Sequence, residues 1–331
     1  MSRVFAHVNE QMPRSYWDWE STTLQFGDNS KYTVGDVVGR GKYSNVYKCM
    51  SPDYDFPLVM KVFKPERTKR IRREILILKN LKGGPNIIPL IDVIKDKEEG
   101  NPTLVFPYIN SNNWKEEYPT FNIMQIKRFI FELLKALQYS HSKGIMHRDV
   151  KPHNVCIDKK TRKVWLLDWG LADFYHVGVK NNVRVASRYY KAPEQLINYQ
   201  LYDYSLDMWS LGVVLAGLIF KKEFFFKGDS DEDQLLKIMA VLGTDELNDY
   251  INDYNVKLNP KIKRLVESYD FEKLDWSIFI NEENRELATK EAVDLVDNLL
   301  RYDHQTRLTA EEAMNHPFFN EIRDNDDNEA N

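Results

Sequence analysis

Only two cysteines occur among the 331 residues, Cys49 and Cys156, and they form no C-x-x-C pair. A multi-bridge disulfide framework is thereby excluded, and a reducing, intracellular compartment is the simplest expectation. Long apolar runs are also missing. The longest, Leu211 to Phe220, is too short to span a bilayer and reads as a buried core helix. No apolar stretch follows the first basic residue, so no secretory signal is expected. There is no internal repeat and no low-complexity block. Net charge is only −4, so bulk attraction to nucleic acid is not expected and any role for charge must be local.

What is present suits two lobes or one large domain. From Tyr32 to about Tyr108 short alternating runs predict strands: Thr33 to Val38, Asn45 to Cys49, Leu58 to Phe63, Ile88 to Ile94 and Thr103 to Phe106. One helix, near Arg67 to Asn80, interrupts them, with Ile71, Ile75 and Leu78 at helical spacing. Beyond Tyr108 helices are expected over Ile123 to Lys143, Ser205 to Phe220, Asp231 to Leu242 and Lys290 to Arg301. The expected fold is therefore α+β and bilobal. An N-terminal segment (1–31) packs on the core through Tyr16 to Glu20, whose aromatic rings need a surface. A β-rich small lobe (32–108) precedes a helical large lobe (109–319), and residues 320–331 read as an acidic disordered tail.

Several short motifs bear on phosphate chemistry. Gly39-Arg40-Gly41-Lys42-Tyr43-Ser44-Asn45-Val46 lies between two predicted strands, where glycines let backbone N–H groups approach phosphate oxygens. By itself it could equally be a hairpin turn, and a dinucleotide fold would need a strand-to-helix setting. Lys61 sits on the next apolar strand, and Glu74 falls on the side of Ile71 and Ile75, where it needs a cationic partner. Lys61 is the natural one; a surface glutamate beside Arg70 and Arg73 is the bland alternative. In His147-Arg148-Asp149-Val150-Lys151-Pro152-His153-Asn154 an acid, a cation and an amide occur together. Asp149 can orient a hydroxyl proton, Lys151 can neutralise a phosphoryl group, and Asn154 offers an oxygen to Mg²⁺. Asp168-Trp169-Gly170 follows a predicted strand and suits either a metal ligand or a simple turn.

Taken in order, with Ala192-Pro193-Glu194, Asp207 to Gly212 and Arg307, these motifs resemble the eukaryotic protein kinase signature set. The finer resemblance is to the catalytic subunit of casein kinase II, carried by the nucleotide loop, the Trp of Asp168-Trp169-Gly170, Val183 to Tyr189, Tyr202 to Asp207, Gly83 to Asn86 and Leu300 to Arg307. The resemblance implies ATP, and in that family also GTP, as co-substrate with Mg²⁺. It implies Asp149 as the base and Lys151 as the contact to the phosphoryl group in flight. Asn154 and Asp168 would hold Mg²⁺, and Lys61, fixed by Glu74, would steady the α- and β-phosphates. Val38, Val46, Val59, Cys156 and Leu167 would sandwich the purine beside Phe106, with Ile109 N–H as donor to the base. Pro107 departs from the family's usual acid at this hinge, which puts GTP use in question. Ala192 replaces its usual Gly.

From Lys61 to Arg73 there are seven Lys or Arg and one acid; from Phe174 to Pro193 there are four and no acid. Such positive potential near an acceptor favours acidic peptides. An acidophilic Ser/Thr kinase is expected, and the resemblance implies that acids at the first and third positions after the acceptor matter most, with Arg184, Arg188 and Lys191 reading the first. Arg67, Arg70, Arg72 and Arg73 would read the region of the third, with Lys42 and Arg148 nearby. A solvated basic face or a nuclear-import patch would use the same residues. Between Asp168 and Glu194 the only Ser or Thr is Ser187. Activity without an ordering phosphothreonine is therefore expected, and the resemblance implies that Tyr16 to Glu20 holds the activation segment. Strand alternation sends Tyr47, Met60 and Val62 outward. The resemblance implies that this face docks a regulatory beta subunit in an α2β2 assembly, whereas packing under a neighbouring loop is the alternative. No membrane association and no specific nucleic acid are expected, and the locations expected are cytoplasm and nucleus. The competing readings are a pseudokinase scaffold and a kinase of a neighbouring branch activated by a partner or by phosphorylation.

Overall fold

The computed structural model describes residues 1–41, 43–64, 68–95, 100 and 102–329. Two short helices, α1 (Val8–Gln11) and α2 (Arg14–Trp17), open the chain. Five strands then form one antiparallel sheet: β1 (Thr33–Arg40), β2 (Ser44–Met50), β3 (Leu58–Phe63), β4 (Asp92–Lys95) and β5 (Pro102–Pro107), in the order β1-β2-β3-β5-β4. Helix α3 (Thr68–Asn80) lies between β3 and β4 in the chain and buries Ile71, Glu74, Ile75 and Leu78. These positions share one face at helical spacing, which sets Glu74 facing inward.

The sheet's register explains which side chains reach the cleft. Val46 pairs with Lys61 and Lys48 with Val59, so Val59 and Lys61 share the inner face. The opposite face carries Cys49, Leu58, Met60, Ile94 and Val105, a separate small core packed by Tyr32, Val62 and Ile91. The alternation is as expected, but the exposure is not: Met60 is only 2% exposed and cannot belong to an open docking face. Residues before β1 cross this side, with Tyr32 donating to Asp92 Oδ2 at 2.8 Å and Gly27 N–H to the Val93 carbonyl at 2.8 Å.

The strand expected over Ile88 to Ile94 shortens to Asp92–Lys95. Pro89 has no N–H to give to a ladder, so the chain before it makes other bonds. Ile88 N–H donates to the Leu166 carbonyl at 3.3 Å and Leu166 N–H to the Asn86 carbonyl at 2.7 Å.

The large lobe begins with α4 (Trp114–Glu117) and α5 (Ile123–Ser142). Helix α5 starts on a capping box in which Asn122 and Gln125 satisfy each other's backbone N–H groups. Two small ladders follow: β6 (Ile145–Met146) pairs with β9 (Asp173–Phe174), and β7 (Val155–Ile157) with β8 (Val164–Leu166). Helix α6 (Pro193–Leu196) leads to α7 (Ser205–Ile219), which is buried on every side and contains most of the longest apolar run. Helices α8 (Asp231–Leu242), α9 (Asp245–Asp253), α10 (Pro260–Ser268), α11 (Lys290–Leu299) and α12 (Ala310–Met314) follow, with α11 packed on α7, α12 on α5 and α10 on α8. Among the described residues no helix is long and apolar enough to cross a membrane.

In place of a disordered tail from residue 320, the chain forms α13 (Asn320–Glu329). Ile322 is buried, and Arg323 donates to the Met314 carbonyl at 2.5 Å. These two contacts anchor a segment whose composition alone favours solvent.

Candidate active site

A cleft of about 670 Å³ opens between the sheet and the large lobe. Every described residue expected to meet a nucleotide lines it except Tyr43 and Asn45. Asn45 lies between Ser44 and Val46, which face the cleft, so alternation turns it to the other side of the sheet. Tyr43 is exposed at the loop. Lys42 falls outside the described residues. Sequence reasoning missed Leu78, Ile88 and Ser111 as cleft walls. The spacing of Leu78 with Ile71 and Ile75 held the signal for the first. Ile88 was hidden in the run misread as a strand. Ser111 enters through a contact distant in sequence, its Oγ donating to Cys156 Sγ at 3.4 Å.

At the back of the cleft the structure brings Lys61, Glu74 and Asp168 together. Lys61 Nζ lies 2.6 Å from Glu74 Oε1 and 2.8 Å from Asp168 Oδ1. Burial works against the lysine's charge, but the two carboxylates more than reverse this and raise its pKa. Lys61 in turn holds the Asp168 carboxyl down at about 2, although burial opposes it. Gly170 allows the crowding: a Cβ there would stand 3.1 Å from Glu74 Oε2 and 3.2 Å from Asp168 Oδ1.

Below them, Asp207 organises the loop 147–154. Its carboxylate accepts the backbone N–H of His147 at 2.8 Å and of Arg148 at 2.7 Å. His141 Nε2 lies 3.0 Å from the same group. Burial would raise the Asp207 pKa, yet the hydrogen bond from His141 and its neighbours' bonds and charges lower it. Arg148, Asp168 and Ala186 all adopt positive φ, at 66°, 54° and 65°. Non-glycine residues in that region are strained, and such strain persists only where surrounding bonds over-determine it. His147 Nδ1 accepts the Asp149 N–H at 3.2 Å, so its Nε2 carries the proton that meets the Leu167 carbonyl at 3.0 Å. The His147 ring stands edge-on to buried Trp169, 4.6 Å between centroids.

Asp149 itself is buried and enclosed by donors. Lys151 Nζ lies 2.8 Å from its Oδ2 and Asn154 Nδ2 2.9 Å from the same oxygen. Ser187 gives its N–H to Oδ1 at 3.0 Å and its hydroxyl to Oδ1 at 3.1 Å. Lys151 also reaches Ser187 Oγ at 2.6 Å. An acid, a cation, an amide and a hydroxyl from two distant segments thus meet at one point.

A model of the protein kinase domain matches residues 32–319. The chain belongs to the protein kinase family. Such a domain is that of a protein phosphotransferase and implies ATP as the co-substrate. The kinase's Ala-Pro-Glu landmark is locked by a fully buried pair: Arg307 Nη1 and Nη2 each lie 2.6 Å from an oxygen of Glu194. Arg307 also donates to the carbonyls of Arg301 at 2.7 Å and Tyr302 at 3.1 Å, so the buried charge is fully bonded.

Asn154 and Asp168 fit a hard cation. Asn154 Nδ2 is committed to Asp149, leaving its amide oxygen as a ligand, and Asp168 stays ionised with Oδ1 on Lys61. Among the described residues no group of three or more His, Cys, Asp or Glu forms a metal cage. Two protein oxygens without a cage suit Mg²⁺, which completes its shell with phosphate and water.

The basic residues separate into two kinds. Arg148 is 2% exposed and spent inside: it donates to the Leu171 carbonyl at 2.8 Å, the Tyr202 hydroxyl at 3.2 Å and Asp173 Oδ2 at 2.8 Å. It therefore cannot read substrate, contrary to expectation. Arg73 meets the same Asp173 oxygen at 2.7 Å and is likewise committed. Arg70, Arg72 and Arg184 remain exposed, with Arg72 touching the Glu20 carbonyl at 3.2 Å. Arg188 and Lys191 face Asp231. Arg67 lies outside the described residues.

The N-terminal segment bridges α3 and the activation segment. Tyr16 donates to the Lys143 carbonyl at 2.9 Å, and its own carbonyl accepts Asn80 Nδ2 at 2.7 Å. Its ring packs 5.9 Å from Phe174, and Trp17 lies 4.9 Å from His176. Buried Asn9 donates to the carbonyls of Gly144 at 2.7 Å and Tyr175 at 2.8 Å.

Proposed function

We propose that this protein is an acidophilic serine/threonine kinase of the casein kinase II type, active without phosphorylation of its activation segment. The observation that carries the reading is the state of the inner network. Lys61 already lies 2.6 Å from Glu74, and Asp173 already neutralises Arg148. In kinases that await phosphorylation, an arginine acquires its anion from the modified loop. Here a carboxylate of the chain supplies it, and the segment holds Ser187 but no threonine.

Phosphoryl transfer depends on positioning and charge stabilisation. Asp149 orients the acceptor hydroxyl and takes its proton. Lys151, fixed between Asp149 and Ser187, offsets charge on the transferring group. Lys61, held by Glu74, steadies the phosphates, and Gly39 and Gly41 let backbone approach them. Mg²⁺, held by Asn154 and Asp168, supplies charge neutralisation when bound. The exposed Arg70, Arg72 and Arg184 set a positive field that favours acceptors followed by Asp or Glu.

A regulatory beta subunit remains part of the reading, in an α2β2 assembly. Tyr47 and Val62, both half-buried on the outer sheet side, are the residues proposed to meet it. Cytoplasm and nucleus are the proposed locations.

The test is a Mg²⁺-dependent assay with labelled ATP, GTP as competitor, and Ser peptides with acidic or basic flanks. Transfer favouring acidic flanks, and lost in Asp149→Ala, is expected; equal rates on both flanks would sink the acidophilic reading.

A further inference from the structure

We propose that Asp231 is a specificity-determining residue: it occupies Lys191 and Arg188 as a resident counter-ion that an acid following the acceptor must displace. This rests on the acidophilic reading above and adds to it a residue that limits the preference.

Lys191 Nζ lies 2.7 Å from Asp231 Oδ2, and Arg188 Nε lies 3.7 Å from Oδ1. Arg188 Nη1 also donates to the Asp229 carbonyl at 2.5 Å. Both cations belong to the turn that begins immediately after Ser187, the residue whose N–H and hydroxyl meet Asp149. They therefore stand where the chain beyond an acceptor has to pass. Arg184 is exposed, and among the described residues it makes no ion pair with a carboxylate. The two kinds of cation present different costs to an incoming acid. Arg184 offers an open charge, whereas Lys191 and Arg188 must first give up Asp231.

Asp231 is placed by its helix rather than by the cations. It is the first residue of α8, and Ser230 caps that helix by accepting the Asp233 N–H at 3.0 Å. Gln234, one turn on, donates to the Tyr189 carbonyl at 3.3 Å and ties the helix to the same turn. A carboxylate held this way persists when the lysine is called to a substrate. Two acids then compete for one cation, and the discrimination read by a peptide is smaller than the cations alone would give.

The test measures kcat and KM for peptides carrying Asp or Ala directly after the acceptor Ser, with the acid at the third position kept constant. Wild type, Asp231→Asn, Lys191→Ala and the double variant are compared. Asp231→Asn should lower KM for the Asp peptide about three- to fivefold, the scale of one exposed ion pair, and so widen the Asp-to-Ala ratio. The double variant should lose most of that gain, because the released lysine is gone and only the more distant Arg188 is freed. A merely structural role at the helix start would move both peptides together or act on kcat. An unchanged Asp-to-Ala ratio in Asp231→Asn overturns the inference and leaves the acidophilic reading standing. Indifference of all four proteins to acids at both the first and third positions overturns the acidophilic reading, and the inference with it.

Discussion

Arg148 and Arg184 are both arginines near the acceptor site, and the fold puts them to opposite uses. Arg148 is almost sealed from solvent and bonded to Asp173, Tyr202 and the Leu171 carbonyl. Arg184 stands in solvent, where a substrate can find it. Arg73 and Arg72 repeat the contrast one residue apart on α3, the first turned to Asp173 and the second to solvent. Basic residues close in sequence thus divide into an inner set bonded to Asp173 and an outer set open to solvent. Helical spacing and one carboxylate, Asp173, make the division.

The sharpest test of the inner set is Asp149→Ala. It should lower kcat by about 10²- to 10⁴-fold with nucleotide affinity largely retained, as steady-state kinetics and nucleotide titration would show. Next comes Asp173→Asn, which leaves Arg148 and Arg73 facing each other without their shared anion. A loss of about 3 kcal/mol in urea unfolding is expected, as for a broken buried pair. Stability unchanged by that substitution would erase the distinction between the two sets. Removal of residues 1–20 deletes the Asn9 and Tyr16 bonds, each worth about 1 kcal/mol, and should lower kcat about tenfold. Full activity in the truncated protein would show that the activation segment holds itself. Arg184→Ala tests the outer set: stability should move by less than about 0.5 kcal/mol, while KM for an acidic peptide rises about two- to fivefold.

The smallest expected effect is a dependence on pH. The Asp168 carboxyl is depressed to about 2 by Lys61. Its unfolded value is near 4, so the contact's stabilisation is complete above about pH 4 and is lost as pH falls toward 2. The Asp168 side chain is 51% exposed, so solvent screens the contact and the contribution is modest. Urea unfolding followed between pH 5 and 3 should show a smaller decline in Asp168→Asn than in wild type.

Much of this architecture was legible beforehand. The strand at Leu58–Phe63 and the helix at Asp231–Leu242 match their expected limits, because each has a clean period and clear boundaries. Ile88 to Ile94 failed because Pro89 outweighs an apolar run. Met60 failed for a different reason. Alternation assigns a face, but only the neighbouring segment decides whether that face meets water.

The sequence by itself determined the order of the motifs, the family they belong to, and the kinds of group present for phosphoryl transfer. Periodicity also determined that Glu74 turns inward. Tertiary structure alone decided which cations remain open. Asp173 is far from Arg73 in the chain, and Asp231 is far from Lys191. Charge is a property of a residue, but its availability depends on which carboxylate the fold sets beside it, and that proximity has no signature in local sequence.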